Sequence, residues 1–504
     1  MNWDADLRSI QEVRHYLQEA KSAQQQLERM TQVQIDGIVK AMAEAAEAEA
    51  ERLGTLAAEE TGYGKAADKK AKNLFVAKDV YESIKEMPTV GIIARDETRR
   101  VWEVAQPVGI VAAIIPSTNP TSTILFKCLI ALKARNAIVI SPHPSALRCS
   151  LESAKVMRGA AEKAGAPAGL IHCITQPSLE ATNELMKHKL TDVILATGGT
   201  AMVKAAYSSG KPAYGVGPGN VPVYVHRSAD PAKTARLILQ SKTFDWGTIC
   251  ASEQAIVVDR AIKPRLVEEL KRQGGYFVGE DDKRRIASII LIGKSLNPQI
   301  VGKSPQVIAG MAGTSVPNDA RALIAEETEV GLAHPWSVEK LSPLLALYTV
   351  DDWQEGCRRC MSLLEQGGMG HTLGIHCEEM AIIEAFGLEK PASRIVVNAG
   401  TTFGGIGATT GIQPSMTLGC GTFGNNITSD NIGPQHLLNM KRVAFGIREM
   451  VTEAPQSSQS LQLQQATAVE HAVQSLQSQV KSGITREEVT QIVKKVLTEM
   501  QIPL

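Results

Sequence analysis

Residues 109–144 read GIVAAIIPSTNPTSTILFKCLIALKARNAIVISPHP and give the clearest indication of architecture in the chain. Each end, GIVAAIIP and NAIVISPHP, is a short apolar run rich in β-branched residues, and the segment between them, from about residue 122 to 134, is typical of a helix. Strands that are apolar on both faces are buried on both sides, as in a parallel sheet covered by helices. The stretch therefore predicts a strand-helix-strand unit.

The same alternation continues along the chain. The runs GLIHCITQ (169–176) and DVILATGG (192–199) predict further strands, each followed by a helical segment. A second segment of this kind includes the strand-like run EQAIVV (253–258). We predict an α/β fold with a doubly wound cofactor domain at residues 1–240 and an α/β catalytic domain at 241–425, with ligands at the carboxyl ends of the strands.

Composition excludes several function classes. Lysine and arginine together number 53, as do aspartate and glutamate, so we predict no nucleic-acid partner. The N-terminal sequence MNWDADLRSIQEV lacks a leader pattern and no run of about 18 apolar residues occurs, so we expect a cytoplasmic protein without a membrane segment. The eight cysteines are scattered, as expected of reduced thiols. We interpret the CxxC pair Cys357 and Cys360 as two thiols on one helix face and predict no metal site.

The run KTFDWGTICASEQ (242–254) presents Cys250 between small or hydroxylated residues, just before a strand-like run. A thiol in such a turn is a candidate nucleophile, because thiolate is expected near neutral pH and sulfur attacks carbonyl carbons well. A free cysteine is more often a small buried apolar residue. This segment alone therefore leaves both interpretations open.

Two strand ends are candidates for a cofactor site. Thr197-Gly198-Gly199-Thr200 follows a strand and opens a helix, where free backbone N–H groups favour a phosphate, although a plain turn explains the same residues. Ser141-Pro142-His143-Pro144 ends another strand, and His143 either faces a ribose or caps the turn.

Several motifs in order along the chain carry a family resemblance: PSTNPTS (116–122), SPHPSA (141–146), ATGGTAMV (196–203), GVGPGN (215–220), CASEQ (250–254), EKLSP (339–343), GHT (370–372) and PSMTLGCG (414–421). From about Val33 to Gly446 the chain resembles the aldehyde dehydrogenase superfamily. It is most similar to the coenzyme A-acylating branch, which includes the N-terminal half of bifunctional aldehyde/alcohol dehydrogenases.

The resemblance implies a role for each matching residue. Cys250 is the nucleophile that attacks the aldehyde carbon, and Asn119 donates its side-chain amide to the oxyanion together with the Cys250 backbone N–H. The alternative is that Asn119, which precedes a proline, only starts a turn. NAD accepts the hydride, and Glu339 holds its nicotinamide-side ribose. The implied cofactor-binding residues are Ser141, His143, Thr197, Gly198, Gly199, Thr200, Gly217 and Glu339.

One position departs from the hydrolytic members of the family. These carry a glutamate general base where this sequence has Gly215. Water without a base is a poor attacking group, whereas a thiol ionises several units below water and exchanges readily with a thioester. We therefore expect coenzyme A to release the acyl group. His371 is a candidate for handling the proton of the incoming thiol, or is only a hydrogen-bonding loop residue.

The end of the chain differs in composition from the rest. The resemblance implies a small β oligomerisation arm, formed by the hairpin at about 92–106 and residues 426–451. Residues 452–484 are rich in glutamine and serine and are interpreted as a linker. Residues 485–504 predict an amphipathic helix that opens with a Thr485–Glu488 capping box. Its apolar stripe comprises Val489, Ile492, Val493, Val496, Leu497 and Met500.

The predicted helix resembles the peptides that recruit enzymes into bacterial microcompartments. The alternative is a helix that packs back on its own subunit. We expect a homo-oligomer that oxidises a small aldehyde, first of all acetaldehyde, with NAD and coenzyme A inside a microcompartment, where residues 485–504 contact a shell protein. Propionaldehyde or a substituted aldehyde, hydrolysis assisted by another base, and an inactive scaffold that uses its tail remain alternatives.

Overall fold

The computed structural model describes residues 4–450, 458–479 and 483–499 of the 504-residue chain. The chain begins with a helical segment, in which a π turn at Val76–Val80 links the last two helices. These helices are α1 (Ala5–Leu27), α2 (Gln32–Ala48), α3 (Ala50–Thr61), α4 (Ala66–Phe75) and α5 (Tyr81–Ile84). Thr31 and Gln34 form a capping box at the start of α2, which satisfies backbone N–H groups that the helix leaves unpaired.

A hairpin and a five-stranded sheet follow. Their elements are β1 (Gly91–Asp96), β2 (Val101–Pro107), β3 (Ile110–Ile114), α6 (Pro120–Lys133), β4 (Ala137–Ser141), α7 (Leu147–Lys163), β5 (Ile171–Cys173), α8 (Leu179–Lys187), β6 (Val193–Thr197), α9 (Thr200–Tyr207) and β7 (Ala213–Val216). The sheet has the order β5-β4-β3-β6-β7, and its strands are parallel. Every residue of β3 and β4 is buried, as the apolar runs in their sequences predict.

The second half builds a seven-stranded sheet. Its elements are β8 (Val221–Val225), α10 (Pro231–Thr243), β9 (Glu253–Asp259), α11 (Lys263–Arg272), β10 (Gly275–Phe277), α12 (Glu280–Ile290), β11 (Leu291–Ile292), β12 (Ser295–Leu296), α13 (Pro305–Met311), β13 (Ala322–Glu326), β14 (Leu344–Val350), α14 (Trp353–Gly367), β15 (Gly370–His376), α15 (Met380–Glu389), β16 (Ala392–Val397) and α16 (Thr401–Gly405). The order is β10-β13-β14-β9-β8-β15-β16, with parallel pairing throughout, and β11 and β12 form a separate hairpin. The α/β fold class predicted from the sequence is confirmed.

Successive residues of the central strands β8 and β9 point to opposite faces of the sheet and pack in two separate apolar clusters. Val223 and Ile256 pack with α10 and α11 on one face of the sheet, whereas Tyr224 and Val257 pack with α12 and α14 on the other. Burial of one such apolar side chain contributes about 1.5–3 kcal/mol. The sheet is therefore held from both sides.

One sequence-based boundary differs from the sheet pairing. The strand β8 falls within the predicted cofactor domain (1–240), yet it pairs with β9 and β15 in the second sheet. The strand before it, β7, is the last of the first sheet. Strand pairing across the whole chain decides which sheet a buried apolar run joins, and local sequence contains no information about that choice.

The predicted arm hairpin is present as β1 and β2, which form a three-stranded sheet in the order β1-β2-β17 with β17 (Leu438–Ala444). The described part of the chain divides into two compact units, and the second includes residues 96–101, 444–450, 458–479 and 483–499. The second unit contains α17 (Ser458–Gln479) and α18 (Arg486–Glu499). The predicted linker thus contains a helix of 22 residues.

The predicted tail helix begins as expected. Glu488 accepts a hydrogen bond from the backbone N–H of Thr485 at 2.8 Å, and Thr485 Oγ1 accepts one from the Glu488 N–H at 3.4 Å, which is the predicted capping box. Val489 is 7% exposed, like Val473 of α17 at 3%, whereas Ile492 is 58% exposed. Met500 of the predicted stripe lies outside the described residues. Helix α17 therefore covers part of the apolar face of α18.

None of the described helices combines the length and the apolar character needed to cross a bilayer. Within the same residues no group of His, Cys, Asp and Glu side chains is arranged to hold a metal ion. Cys357 and Cys360 lie buried on one helix, α14, as the sequence predicts.

Candidate active site

A cavity of about 520 Å³ opens at the carboxyl ends of β3, β4 and β6 and extends to Cys250. Residues that the sequence analysis assigned to catalysis or to the cofactor line it together: Asn119, Ser141, His143, Thr197, Gly198, Gly199, Gly217, Cys250 and Glu339. Thr200 begins α9 beside this cavity, and His371 reaches Cys250 from β15. The roles of these residues stay predictions, but the fold brings them to one place.

A sharp reversal of the chain presents Cys250. Helix α10 ends at Thr243, and the next turn contains Asp245 and Trp246 with φ of 48° and 50°, in the left-handed region. Gly247 follows with φ of 75°, and a Cβ there would lie 3.0 Å from the Ser342 carbonyl oxygen. Only glycine fits that place without strain. Cys250 stands between this turn and β9.

His371 is the nearest ionisable partner of the Cys250 thiol, with Nε2 3.2 Å from Sγ. Arg394 Nε donates to Thr372 Oγ1 at 3.3 Å, and Thr372 Oγ1 lies 3.0 Å from His371 Nδ1. Because the Thr372 hydroxyl accepts from Arg394, its own proton is available to donate to Nδ1. This chain of donors favours the tautomer in which His371 carries its proton on Nε2, facing the sulfur.

Burial controls the charges of this pair. Burial, assisted by the nearby Glu339 carboxylate, raises the pKa of Cys250 to about 12. Burial, assisted by the Arg394 charge, lowers the pKa of His371 to about 3. Both groups are therefore neutral at pH 7 in the ligand-free site. The expectation that thiolate is already populated near neutral pH is wrong for this site, because the sequence contains no direct sign of desolvation.

Asn119 lies directly before α6, but its side chain caps no backbone N–H of that helix. Its Nδ2 donates to Thr118 Oγ1 at 3.1 Å and to the Thr248 carbonyl oxygen at 3.4 Å, and its Oδ1 accepts a hydrogen bond from Lys72 Nζ. The side chain is thus oriented by contacts beyond the turn itself.

The cofactor end of the cavity has free polar groups and open space. Thr197 Oγ1 is buried and has no hydrogen-bond partner among the described residues. A Cβ built on Gly199 would meet no atom within 4 Å. The start of α9, with its unpaired N–H groups, adjoins both. These features fit the phosphate part of a dinucleotide.

The other predicted cofactor-binding residues, Glu339, His143 and Ser141, make defined hydrogen bonds within the protein. Glu339 Oε1 accepts a hydrogen bond from the Gly219 backbone N–H at 2.8 Å, and burial raises the pKa of Glu339 to about 7. His143 Nδ1 accepts a hydrogen bond from the Ser145 N–H at 3.2 Å, so it caps its turn while also lining the cavity. Ser141 Oγ pairs with Thr182 Oγ1 at 2.9 Å.

The position of the missing general base is filled by neighbours. A Cβ on Gly215 would lie 2.7 Å from Val203 Cγ1 and 3.0 Å from the Tyr207 ring. Tyr207 Oη accepts a hydrogen bond from the Gly215 N–H at 3.0 Å, and Asn426 Nδ2 donates to the Gly215 carbonyl oxygen. Glu339 is the one carboxylate among the described residues that line the cavity. Hence no carboxylate can occupy position 215 without displacing these side chains.

Sequence reasoning missed a buried charged cluster of Lys69, Lys72 and Asp245 next to Asn119. The sequence does show two lysines three residues apart on a predicted helix and an aspartate five residues before Cys250. Charged residues on helices usually face solvent, so this pattern did not indicate a buried cluster.

Residues 4–284 match the model of the aldehyde dehydrogenase family. The chain belongs to the aldehyde dehydrogenase family. The family resemblance drawn from the motifs is thereby confirmed, and Cys250 and Asn119 lie within the matched part.

Individual relatives agree with this assignment. An aldehyde-alcohol dehydrogenase of Clostridium acetobutylicum is 42% identical over 441 residues, covering 86% of this chain but 51% of its own length. The chain thus spans about half of that curated relative. An acetylating aldehyde dehydrogenase of Geobacillus thermoglucosidasius superposes with a TM-score of 0.89 at 66% identity, covering 90% of this chain and 100% of its own.

A third relative comes from a microcompartment. The propionaldehyde dehydrogenase of the Clostridium phytofermentans fucose utilisation bacterial microcompartment superposes with a TM-score of 0.79 at 27% identity, covering 87% of this chain and 98% of its own. The aldehyde dehydrogenase architecture therefore extends over most of the chain.

Proposed function

We propose that this aldehyde dehydrogenase converts a small aldehyde to its acyl-CoA with NAD and coenzyme A, through a thioester on Cys250. Two observations support this proposal. The Cys250 thiol, which lines the cavity, pairs with His371. Val203 and Tyr207 pack against Gly215, the position at which hydrolytic members carry a general base. The similar acetylating enzyme supports the choice of reaction.

The first half-reaction uses Cys250 and Asn119. The thiol proton leaves to solvent, the Cys250 Sγ forms a bond to the aldehyde carbon, and the carbonyl π pair moves to oxygen. Asn119 Nδ2 and the Cys250 backbone N–H donate to this oxygen, and one such donor is worth about 3 kcal/mol in the barrier. Thr197, Gly198, Gly199 and Glu339 would hold NAD, which would supply the acceptor for the hydride that leaves the carbon. The C=O bond then re-forms and a thioester on Cys250 remains.

The second half-reaction transfers the acyl group to the coenzyme A thiol. The incoming sulfur displaces Cys250 Sγ, and the proton of the coenzyme A thiol leaves to solvent. With its proton on Nε2, His371 donates a hydrogen bond to the departing Cys250 sulfur. The predicted role, taking the proton of the incoming thiol, requires the other tautomer.

Water is a poor competitor in this step. A general base typically contributes about 10²- to 10⁴-fold, and no carboxylate fits at Gly215. A thioester replaces a thioester, so the step is reversible.

We further propose acetaldehyde as the first substrate to test, with propionaldehyde as the alternative that one relative suggests. The proposed location of the protein is a microcompartment. The same relative supports this location, as do Ile492 and Val496, which are 58% and 47% exposed on α18. Self-association through β1 and β17 is proposed because most residues of these strands are exposed.

The test measures NADH formation from acetaldehyde and NAD, with and without coenzyme A. Sustained turnover is expected only with coenzyme A in the wild type, and none in Cys250→Ala. Cys149→Ala is the matched control, because Cys149 is a buried thiol on α7 outside the cavity. Equal turnover without coenzyme A would indicate hydrolysis. No NADH formation with any aldehyde would favour the alternative of an inactive scaffold protein.

The proposed location in a microcompartment is tested in a separate experiment. Residues 485–504 fused to a fluorescent protein should colocalise with microcompartment shells in cells that make them. Ile492→Asp should abolish this, because it places a charge on the exposed apolar stripe. Uniform fluorescence with the unaltered tail would contradict the proposal.

A further inference from the structure

A buried cluster of charged side chains contacts Asn119. Lys69 and Lys72 lie one turn apart on α4, and each is 2% exposed. Both donate to the carboxylate of Asp245, which is fully buried, with a distance of 3.1 Å from Lys69 Nζ. Lys72 Nζ also donates to Asn119 Oδ1, whereas Lys69 Nζ donates to the Thr118 carbonyl oxygen at 3.0 Å. Lys72 is therefore the member of the cluster that contacts the Asn119 side chain.

Asp245 is held from every side. Thr248 Oγ1 donates to Oδ2 at 2.6 Å and the Lys65 backbone N–H donates to Oδ1 at 2.7 Å. A Cβ on Gly64 would overlap the carboxylate, so glycine is needed there. Burial acts to raise the pKa of Asp245, but Lys72 and Lys69 hold it below its ordinary value. The carboxylate is therefore an ionised anchor.

This arrangement is costly. Burying three charges carries a desolvation cost that ion pairing often only balances. Asp245 and Trp246 both adopt the left-handed backbone region, at about 1–3 kcal/mol each for a residue other than glycine. Replacing buried ion pairs by well-packed apolar side chains is often neutral or stabilising. The cluster therefore points to a function beyond stability.

The contact with Lys72 favours one orientation of the Asn119 amide, and the acceptors on its other side, Thr118 Oγ1 at 3.1 Å and the Thr248 carbonyl oxygen at 3.4 Å, favour the same one. A lysine ammonium has only donors, so it accepts the Oδ1 side of an amide and repels the NH₂ side. With Oδ1 on Lys72, the Nδ2 donors of Asn119 are directed toward Thr248, two residues before Cys250. A turned amide would place two donors against the ammonium.

We propose that Lys72, anchored by Asp245, is a positioning residue that holds the Asn119 amide with its donors toward the reacting oxygen. This proposal rests on the proposed function, in which Asn119 stabilises the oxyanion. The oxyanion interaction exists mainly in the transition state, so its loss lowers kcat with little change in KM.

The experiment is a double-mutant cycle on the full chain, with Lys72→Met, Asn119→Ala and the double variant. Lys72→Met is expected to lower kcat about tenfold, a part of the 10²–10³ typical for loss of an oxyanion donor, with the aldehyde KM unchanged within about twofold. In the Asn119→Ala background the same substitution should lower kcat by less than about twofold, because residues that act through one group are not additive.

Lys69→Met is the matched control. Each lysine variant removes one ammonium and leaves one Lys–Asp245 ion pair, so a purely structural effect would be similar in both. Lys69→Met is expected to change kcat less than about threefold, since Lys69 does not contact the Asn119 side chain. Thermal unfolding of each variant verifies the fold. If Lys72→Met does not fold, Lys72→Leu, which also lacks a hydrogen-bond donor, enters the same cycle under the same criterion.

Two results would overturn the proposal: equal factors for Lys72→Met in both backgrounds, or equal losses in Lys69→Met and Lys72→Met. Either result in an active wild type leaves the proposed function intact. A wild type that forms no NADH from any aldehyde refutes the proposed function, and the positioning role with it.

Discussion

At the scale of single residues, the site is governed by desolvation more than by residue type. Cys250, His371 and Glu339 are ordinary ionisable groups whose pKa values move because water is excluded from them. The neutral resting thiol is protected from adventitious oxidation, because the thiolate is the reactive form. Reactivity then depends on the charges that surround the sulfur.

Replacement of Glu339 by glutamine should make Cys250 more reactive above pH 7. The carboxylate charge disfavours thiolate, so its removal lowers the pKa of Cys250 and raises the thiolate fraction at a given pH. We expect iodoacetamide to alkylate Cys250 about 2- to 10-fold faster at pH 9, since one pKa unit is a tenfold change in equilibrium. At pH 5.5 the difference should vanish, because Glu339, with a pKa of about 7, is then neutral.

The control for this experiment is Glu327→Gln, since Glu327 pairs with Lys283 instead. Its alkylation rate should equal that of the wild type at both pH values. A constant ratio between Glu339→Gln and wild type across pH would contradict the electrostatic explanation.

Gly215→Ala should destabilise the protein by about 1–3 kcal/mol, because its Cβ would crowd Val203 and Tyr207. Gly217→Ala should change stability little, since a Cβ there meets no atom within 4 Å. Urea unfolding midpoints compare the two. Adding Val203→Ala to Gly215→Ala should recover part of the loss, and an unchanged midpoint in Gly215→Ala would contradict the crowding.

At the scale of elements, α18 has two different apolar edges. Val489 is covered, as is Val473 on α17, whereas Ile492 and Val496 face outward. The alternative of a helix that packs on its own chain thus accounts for one edge only. The exposed edge is available for the proposed shell partner.

Val489→Asp should open the α17–α18 pair, because a carboxylate at a buried valine loses about 2 kcal/mol of apolar burial and adds a desolvation cost. Limited proteolysis should then cleave faster within residues 458–499. Ile492→Asp is the control and should be cleaved like the wild type. Turnover should be normal in both, as the cavity residues lie between Ile114 and Leu341.

At the scale of the whole molecule, buried neutral histidines couple stability to pH. Burial lowers the pKa of His376 from 6.5 to about 4, and His371 behaves likewise. The unfolded chain binds more protons than the folded one below pH 6.5, so stability falls as the pH drops; the contribution of His376 levels near pH 4 and that of His371 near pH 3. His376 alone accounts for roughly 3 kcal/mol of this loss.

His376→Asn should therefore shift the acid unfolding midpoint to lower pH while changing stability little above pH 7. His15→Gln is the control, since the His15 side chain is 61% exposed. Circular dichroism during acid titration reports both midpoints. Equal midpoints in His376→Asn and wild type would contradict the linkage.

The sequence by itself determined the α/β class, the strands β3, β4, β5 and β6 of the first sheet and β9 of the second, the identity of the family and the short motifs that meet in the cavity. These are local or ordered along the chain: β-branched runs, glycine turns and a reactive cysteine have the same meaning wherever they occur. The capping box at Thr485 and the thiol pair on α14 were predictable for the same reason.

Only the tertiary structure decided which sheet β8 joins, that Val203 and Tyr207 close position 215, and that Lys72 contacts Asn119. It also made Cys250 a neutral thiol, with His371 brought from 121 positions away along the chain. Each depends on strand pairing, packing or desolvation between distant segments. The free energies of strand pairing, packing and desolvation depend on the folded arrangement of the whole chain, so no local pattern in the sequence indicates them.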